Sequence, residues 1–200
     1  MTIALIEDDE AALESLRLLL EGRGLRVSGF ASAEAFLAGL NEDQPECVVS
    51  DVRLPGLSGL DLQRALKAQG SDVPVILITG HGDIAMAVTA MKEGAFDFVE
   101  KPYDAEYLIA NIERALAAGQ EHRSRESQRQ ELVERLAELS PRQREVMHLV
   151  ADGLSNKEIA LRLGISPRTV ENYRAWVMER MGAANLADLV RKVLLIERER

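Results

Sequence analysis

Short apolar segments alternate with amphipathic segments five times within the first 118 residues of this 200-residue chain. The apolar segments are Ile3–Ile6, Val27–Phe30, Cys47–Ser50, Val75–Ile78 and Phe96–Glu100. The stretches between and after them predict helices over Glu10–Leu20, from a cap at Ser32 to Leu40, and over Leu60–Gln69, Ile84–Glu93 and Asp104–Ala118. This alternation predicts an α/β fold with a doubly wound, five-stranded parallel sheet and right-handed crossovers.

Three acidic residues stand where predicted strands end. Glu7 and Asp8 directly follow the first strand, and Asp51 follows the third. Because the carboxyl ends of parallel strands meet at one edge of the sheet, we expect these carboxylates to lie close together. A single aspartate in such a place is usually a solvated loop residue, but three clustered carboxylates repel one another unless a hard cation lies among them. The pattern predicts a Mg²⁺ site, beside which a carboxylate can attack a phosphoryl group.

Two further strands end in residues that suit phosphoryl oxygens. Thr79 ends the fourth strand, and Lys101 follows the fifth, directly before Pro102. A hydroxyl can donate a hydrogen bond to a phosphoryl oxygen, and an ammonium supplies a fixed positive charge. Together with the three acids, these residues predict that Asp51 accepts a phosphoryl group.

This set of strand ends resembles the receiver domains of bacterial two-component response regulators, which have a flavodoxin-like fold, over residues 3–118. The resemblance implies that Glu7 and Asp8 bind Mg²⁺ together with Asp51. It also implies that the main-chain carbonyl of Arg53 is a further metal ligand. The family commonly has aspartate at the position of Glu7, and glutamate keeps the negative charge.

The same resemblance assigns roles in phosphoryl transfer. Asp51 is the expected phospho-acceptor, Thr79 and Lys101 hold the phosphoryl group, and Phe98 is the aromatic residue that moves when Thr79 moves. Phosphorylation is expected to change a face made by the fourth helix, the fifth strand and the fifth helix. Candidate residues of that face are Met91, Ala95 and Tyr107.

Charge is unevenly distributed along the chain, whose net charge is −9. Residues 1–118 carry 9 Lys and Arg against 20 Asp and Glu, residues 119–138 carry 4 against 5, and residues 139–200 carry 11 against 8. An acidic part joined to a basic part indicates two domains with different partners. We therefore predict domains at 1–118 and 139–200, separated by a partly helical linker at 119–138.

Cysteine usage and hydropathy bear on the compartment. Cys47 is the single cysteine, which fits a reducing cytoplasm, and its place in a strand predicts a small core residue. The sequence contains no run of 18 apolar residues and no basic segment before an apolar one at its start. We expect a cytoplasmic protein with neither a membrane span nor a signal peptide.

The linker is polar at first and then carries an apolar stripe. Residues 120–127 contain no apolar side chain, whereas Leu132, Val133, Leu136 and Leu139 recur at helical spacing. Three arrangements fit the stripe: a continuation of the fifth helix, a helix packed on the second domain, or a coiled-coil contact. At under two heptads, the stripe is too short to establish a coiled coil.

Residues 139–200 predict four helices and no strand. Ser140 and Pro141 begin the first helix, helices follow at 156–163 and 167–181, and Asn185 begins the last. The two middle helices have the spacing of a helix-turn-helix, a spacing that an ordinary helical hairpin shares. Their expected apolar contact consists of Ile159, Ala160, Leu163, Ile165 and Val170.

Three segments, Leu139–Val146, Gly153–Ala160 and Ser166–Asn172, closely resemble the LuxR-type DNA-binding domain. With the receiver resemblance they identify the chain as a member of the NarL/FixJ type of response regulator, and the segment 79–83 is closer to the FixJ side. The candidate DNA-binding residues are Asn156, Lys157, Arg168, Thr169, Glu171, Asn172 and Arg174. Arg168, Thr169, Asn172 and Arg174 are expected on the exposed side of the second helix, and Trp176 is expected to pack against protein.

The expected function is a phosphorylation-dependent, DNA-binding transcription regulator. Its expected partners are a sensor histidine kinase, double-stranded promoter DNA and a second copy of the chain when phosphorylated, with RNA polymerase as a further candidate. No enzyme activity is expected beyond self-catalysed phosphoryl acceptance. An aspartyl phosphatase is the rival reading, but Arg53 interrupts the usual Asp-x-Asp. A scaffold with vestigial phosphorylation is the third.

Overall fold

The computed structural model describes residues 1–40, 44–80 and 84–197. The sequence segment 79–83 therefore lies partly outside the described residues. The chain divides into two compact units, Met1–His122 and Arg123–Arg200. No helix within the described ranges is both long enough and apolar enough to cross a membrane.

The first unit is built on the predicted parallel sheet. Its strands are β1 (Thr2–Ile6), β2 (Arg26–Phe30), β3 (Cys47–Asp51), β4 (Val75–Thr79) and β5 (Asp97–Glu100). Its helices are α1 (Glu10–Glu21), α2 (Ala33–Gly39), α3 (Gly59–Ala68) and α4 (Ile84–Lys92), followed by the start of α5 (Ala105–Ala137). All strand pairs are parallel, and the strand order is β2-β1-β3-β4-β5. The doubly wound α/β fold is confirmed.

Alternate residues of each central strand pack into two apolar clusters. In β1, Ile3 and Leu5 belong to the cluster that includes α1 and α5, whereas Ala4 and Ile6 belong to the cluster that includes α2 and α3. A strand covered on both sides must be apolar throughout, which is why these strands read as continuous apolar runs. Cys47 is fully buried, so its expected place in the core is confirmed.

Leu132, Val133 and Leu136 of the linker stripe lie on one continuous helix, and Leu139 follows its end. Helix α5 runs from Ala105 to Ala137. Leu132 is buried in the apolar cluster of the second unit, where Leu139 is also buried and Leu136 packs at the edge. The first two of the three arrangements therefore occur together.

The second unit contains the four predicted helices. They are α6 (Pro141–Ala151), α7 (Asn156–Leu163), α8 (Pro167–Arg180) and α9 (Leu186–Glu197). The Ser155 side chain caps α7 in a capping box with Glu158, and Ser166 caps α8. Gly164 ends α7 at φ 66°, a left-handed conformation that glycine adopts without steric cost. This turn lets the apolar residues of α7 meet those of α8, as the helix-turn-helix pattern predicts.

Candidate phosphorylation site and DNA-binding surface

Asp51 is the last residue of β3 and is only 8% exposed. Its Oδ1 accepts a hydrogen bond of 2.7 Å from the main-chain nitrogen of Arg53. Its Oδ2 accepts a bond of 2.5 Å from Nζ of Lys101. Both carboxylate oxygens therefore accept a hydrogen bond, which offsets the free-energy cost of burying this negative charge at the edge of the sheet.

Lys101 joins Asp51 to Glu7. Its Nζ also donates to Oε2 of Glu7 at 2.7 Å, and Glu7 is as buried as Asp51. Burial of the ammonium opposes its charge, but the hydrogen bonds and the negative charges of the two carboxylates outweigh this effect and raise the pKa of Lys101 to about 12. Lys101 is therefore a permanent cation at neutral pH.

Thr79 is the last residue of β4 and lies next to this group. In the parallel pairing of β3 with β4, Asp51 is opposite Ile78, so Thr79 is one residue further toward the same edge. The main-chain nitrogen of Lys101 donates to the carbonyl of Thr79 at 2.6 Å. The strand register thus brings three of the predicted residues, Asp51, Thr79 and Lys101, to one edge.

Asp8 is not gathered with the other two acids. Its side chain is exposed, whereas Glu7 and Asp51 are buried around the Lys101 ammonium. Within residues 1–40, 44–80 and 84–197, no group of three His, Cys, Asp or Glu side chains is close enough to hold a metal ion. The repulsion that the sequence predicted among the carboxylates is relieved here by an ammonium.

Two residues that the sequence did not single out, Gly59 and Glu34, contact Asp51 or the loop that follows it. A Cβ atom on Gly59 would lie 2.4 Å from the main-chain oxygen of Asp51, so only glycine fits where α3 begins. Oε1 of Glu34, in α2, accepts a bond of 2.8 Å from the main-chain nitrogen of Leu57. No local sequence pattern links residue 34 to residue 57. The Leu57-Ser58-Gly59 turn, by contrast, has a local signal in the sequence, a glycine next to a helix cap.

The face expected to respond to phosphorylation is partly as predicted. Met91 and Tyr107 are 47% and 53% exposed. Ala95, the third candidate of this face, is 6% exposed, and its main-chain nitrogen donates to the carbonyl of Ala90. Phe98 is half-buried in β5 and packs against the cluster that contains Ala95.

The predicted DNA-binding residues divide by exposure. Four are exposed, namely Lys157 on α7 and Arg168, Glu171 and Asn172 on α8. The Thr169 hydroxyl is held 2.8 Å from that of Ser166, and Thr169 is half-buried.

Two predicted DNA-binding residues are half-buried and bonded to each other. Nη1 of Arg174 donates to Oδ1 of Asn156 at 2.7 Å. Arg174 is only partly exposed because it lies close to Val170 and Val177 on α8, both of which are buried.

Trp176 is less buried than expected. It is 52% exposed, and its ring meets the Tyr173 ring edge-on at a centroid distance of 6.0 Å. Trp176 therefore packs against protein in part, while about half of its surface is exposed.

Comparisons with known proteins agree with this division into two units. Residues 3–113 match the family described as "Response regulator receiver domain", and residues 137–193 match "Bacterial regulatory proteins, luxR family". The chain is 50% identical over 196 residues to the transcriptional regulatory protein FixJ of Azorhizobium caulinodans, covering 98% of this chain and 92% of that protein.

Solved structures give the same result. The response regulator StyR matches with a TM-score of 0.81 at 38% identity, covering 96% of this chain and 97% of that one. Full-length FixJ from B. japonicum matches with a TM-score of 0.61 at 46% identity, covering 100% of this chain and 98% of that one. The chain therefore belongs to the NarL/FixJ-type response regulators, phosphorylation-dependent transcription regulators of two-component systems in which a receiver domain precedes a LuxR-type DNA-binding domain.

Proposed function

We propose that Asp51 is the residue that takes up the phosphoryl group, from a phosphohistidine of a sensor kinase, and that its phosphorylation controls DNA binding by residues of α7 and α8. The observation that carries the proposal is the pairing of a buried Asp51 carboxylate with the Lys101 ammonium at 2.5 Å. The proposal includes a cytoplasmic location, because the chain would encounter both the sensor kinase and chromosomal DNA in the cytoplasm.

The proposed transfer needs little from the protein beyond position and charge. An oxygen of Asp51 attacks the phosphorus, a new P–O bond forms, and the P–N bond to the kinase imidazole breaks. Lys101 offsets the negative charge carried by the phosphoryl oxygens, since its raised pKa keeps it protonated. The Thr79 hydroxyl, one residue further along the same edge, donates to a phosphoryl oxygen.

The charges at this edge fit a divalent metal ion. Glu7, Asp8 and Asp51 carry three negative charges and Lys101 one positive charge, which leaves two negative charges for the two positive charges of Mg²⁺. Carboxylate and carbonyl oxygens are the ligands that Mg²⁺ prefers. We propose that the ion is held by the main-chain carbonyl of Arg53 and by these three acids, with the exposed Asp8 side chain turning toward Glu7 and Asp51 when the ion binds. When bound, Mg²⁺ would neutralise phosphoryl oxygens.

Phosphorylation is proposed to act on the face that contains Met91 and Tyr107. Movement of Thr79 toward the phosphoryl group would open space for Phe98, which is half-buried near it in β5. The altered face then favours a homodimer, as a shift in population between two states. A dimer would offer two helix-turn-helix units to adjacent major grooves of a promoter.

The proposed DNA-binding surface is formed by α7 and the first half of α8. The residues proposed to contact DNA are Lys157, Arg168, Thr169, Glu171, Asn172 and Arg174, and Asn156 belongs to the same surface. The exposed positions of Lys157, Arg168 and Asn172 support this assignment. Contact with RNA polymerase on the same promoter is part of the proposed function.

Incubation of the purified chain with acetyl phosphate and Mg²⁺ tests the proposal. We expect one phosphoryl group per chain, bound as an acyl phosphate that base and hydroxylamine release. Continuous turnover of acetyl phosphate without accumulation would instead indicate an aspartyl phosphatase, and no labelling would indicate a scaffold. Omission of Mg²⁺ is the control, and it should slow labelling strongly.

A further inference from the structure

One hydrogen bond connects the beginning of α7 to the middle of α8. Nη1 of Arg174 donates to Oδ1 of Asn156 at 2.7 Å, the short distance that is typical when the donor is charged. Asn156 is the first residue of α7, and both side chains are half-buried. An exposed pair of this kind would exchange freely with water, whereas partial burial favours one geometry.

The direction of the Arg174 side chain follows from its place on α8. Val170 and Val177, four residues before and three after it, are buried in the apolar cluster of the second unit. Arg174 therefore leaves α8 on the side that packs against α7, and its aliphatic stem covers apolar surface while the guanidinium reaches the edge. The edge it reaches is the start of α7, where the next residue is the exposed Lys157.

The start of α7 suits an anion. The first main-chain N–H groups of a helix point outward, and the helix dipole adds a partial positive charge at this end. Arg174 and Lys157 add two full positive charges there. A guanidinium has five N–H donors, and the bond to Asn156 uses one of them, so donors remain for phosphate oxygens.

We propose that Asn156 is a positioning residue, which fixes the Arg174 guanidinium at the start of α7 for contact with a DNA phosphate and does not itself bind DNA. The inference rests on the proposed DNA-binding function of this surface. An amide suits the role because it accepts the bond without a charge. A carboxylate at the same place would hold Arg174 equally well but would cancel its attraction for phosphate.

The two residues should differ in how their loss affects binding. Arg174→Ala removes one phosphate contact, so one counterion fewer is released from the DNA on binding. Binding should be weaker, and the slope of log affinity against log salt concentration should fall by about one unit. Asn156→Ala leaves the positive charge of Arg174 in place but releases the Arg174 side chain, which must then be ordered when DNA binds. We expect a loss of about 3- to 10-fold in affinity with an unchanged salt dependence.

The experiment measures binding of the full chain to a random-sequence DNA duplex over a series of salt concentrations. The variants are Asn156→Ala, Arg174→Ala and Lys157→Ala, with two double variants that combine Arg174→Ala with Asn156→Ala or with Lys157→Ala. Because the Ser155–Glu158 capping box does not involve the Asn156 side chain, α7 should remain folded. Asn156→Ser, whose side chain is one bond shorter, provides a second variant if the alanine variant does not fold.

The inference requires that Asn156→Ala weaken binding in the wild-type background and have no further effect in the Arg174→Ala background. Lys157→Ala, as the matched control, should weaken binding equally in both backgrounds. An equal loss from Asn156→Ala in both backgrounds, or no loss in either, would overturn the positioning role. If Arg174→Ala and Lys157→Ala both leave affinity and salt dependence unchanged, the proposed DNA-binding surface itself is wrong.

Discussion

The ammonium of Lys101 lies 2.5 Å from Oδ2 of Asp51 and 2.7 Å from Oε2 of Glu7, so one cation holds two buried carboxylates at the edge of the sheet. Strand β5 brings the ammonium there from a position 50 residues after Asp51 and 94 after Glu7. One of the two negative charges is therefore offset before any phosphoryl group arrives.

Lys101→Ala should remove a contribution to the free energy of unfolding that is constant at neutral pH. The pKa of Lys101 in the folded protein, about 12, lies above the ordinary lysine value of 10.5. Stabilisation from a raised lysine pKa is fully present below 10.5 and is lost as pH rises through 12. We expect a difference of about 1 kcal/mol after allowance for solvent screening.

Denaturant unfolding of both proteins in EDTA, at pH values from neutral to alkaline, measures this difference. It should stay level to about pH 10 and then shrink. A difference that disappears between pH 7 and 9 would contradict the assigned pKa.

Gly59→Ala should destabilise the receiver domain. The added Cβ would lie 2.4 Å from the carbonyl oxygen of Asp51, and neither α3 nor β3 can move without disturbing the core. Overpacking of this kind costs about 1–3 kcal/mol. Thermal unfolding measures the cost, with Gly39→Ala as the matched control, since its nearest neighbour would be Phe30 Cε1 at an ordinary 3.8 Å. Equal unfolding temperatures for the two variants would show that the close approach is absent.

Cys47 should be unreactive in the folded protein. It is fully buried in β3, and burial raises the pKa of its thiol to about 12, so the reactive thiolate is scarce at neutral pH. A thiol reagent at pH 8 should label the chain only as fast as it unfolds, and denaturant should expose one thiol per chain. Fast labelling of the native protein would contradict the assignment of Cys47 to the core.

Asn172→Ala should change the sequence preference of DNA binding. Asn172 is exposed on α8, and its amide can bond to two atoms of an adenine edge. Its loss should cost about 1–3 kcal/mol on a preferred site obtained by selection and little on random DNA. Arg168→Ala is the comparison, because loss of a phosphate contact weakens binding to both DNAs alike. Equal losses on both DNAs from Asn172→Ala would show that it does not read bases.

The positions of residues at strand ends were predicted from the sequence more accurately than the positions of residues that side-chain packing determines. Asp51, Thr79 and Lys101 each end or follow an apolar run, and parallel pairing brings such ends together whatever their separation along the chain. The pairing of Lys101 with Glu7 was not predicted, since it depends on side-chain directions. The same holds for Glu34, whose bond to Leu57 joins α2 to the loop after β3.

Exposure was harder to predict than the positions of the elements. Arg174 was expected on the exposed side of α8, yet it is half-buried beside Val170 and Val177, and a neighbouring amide accepts its bond. Ala95 was a candidate of the face that responds to phosphorylation, yet it is buried where a loop enters β5. In both cases the tertiary neighbour, which the local pattern does not contain, decided the environment.

Replacement of the proposed phospho-acceptor tests the central claim most directly. The wild-type chain, Asp51→Asn and the exposed control Asp72→Asn are incubated with acetyl phosphate and Mg²⁺, and intact mass and peptide mapping locate the phosphoryl group. Because an amide is a far poorer nucleophile than a carboxylate, we expect one phosphoryl group per chain on wild type and Asp72→Asn and none on Asp51→Asn. Uptake of one phosphoryl group by Asp51→Asn, with retained activation of DNA binding, would contradict the account.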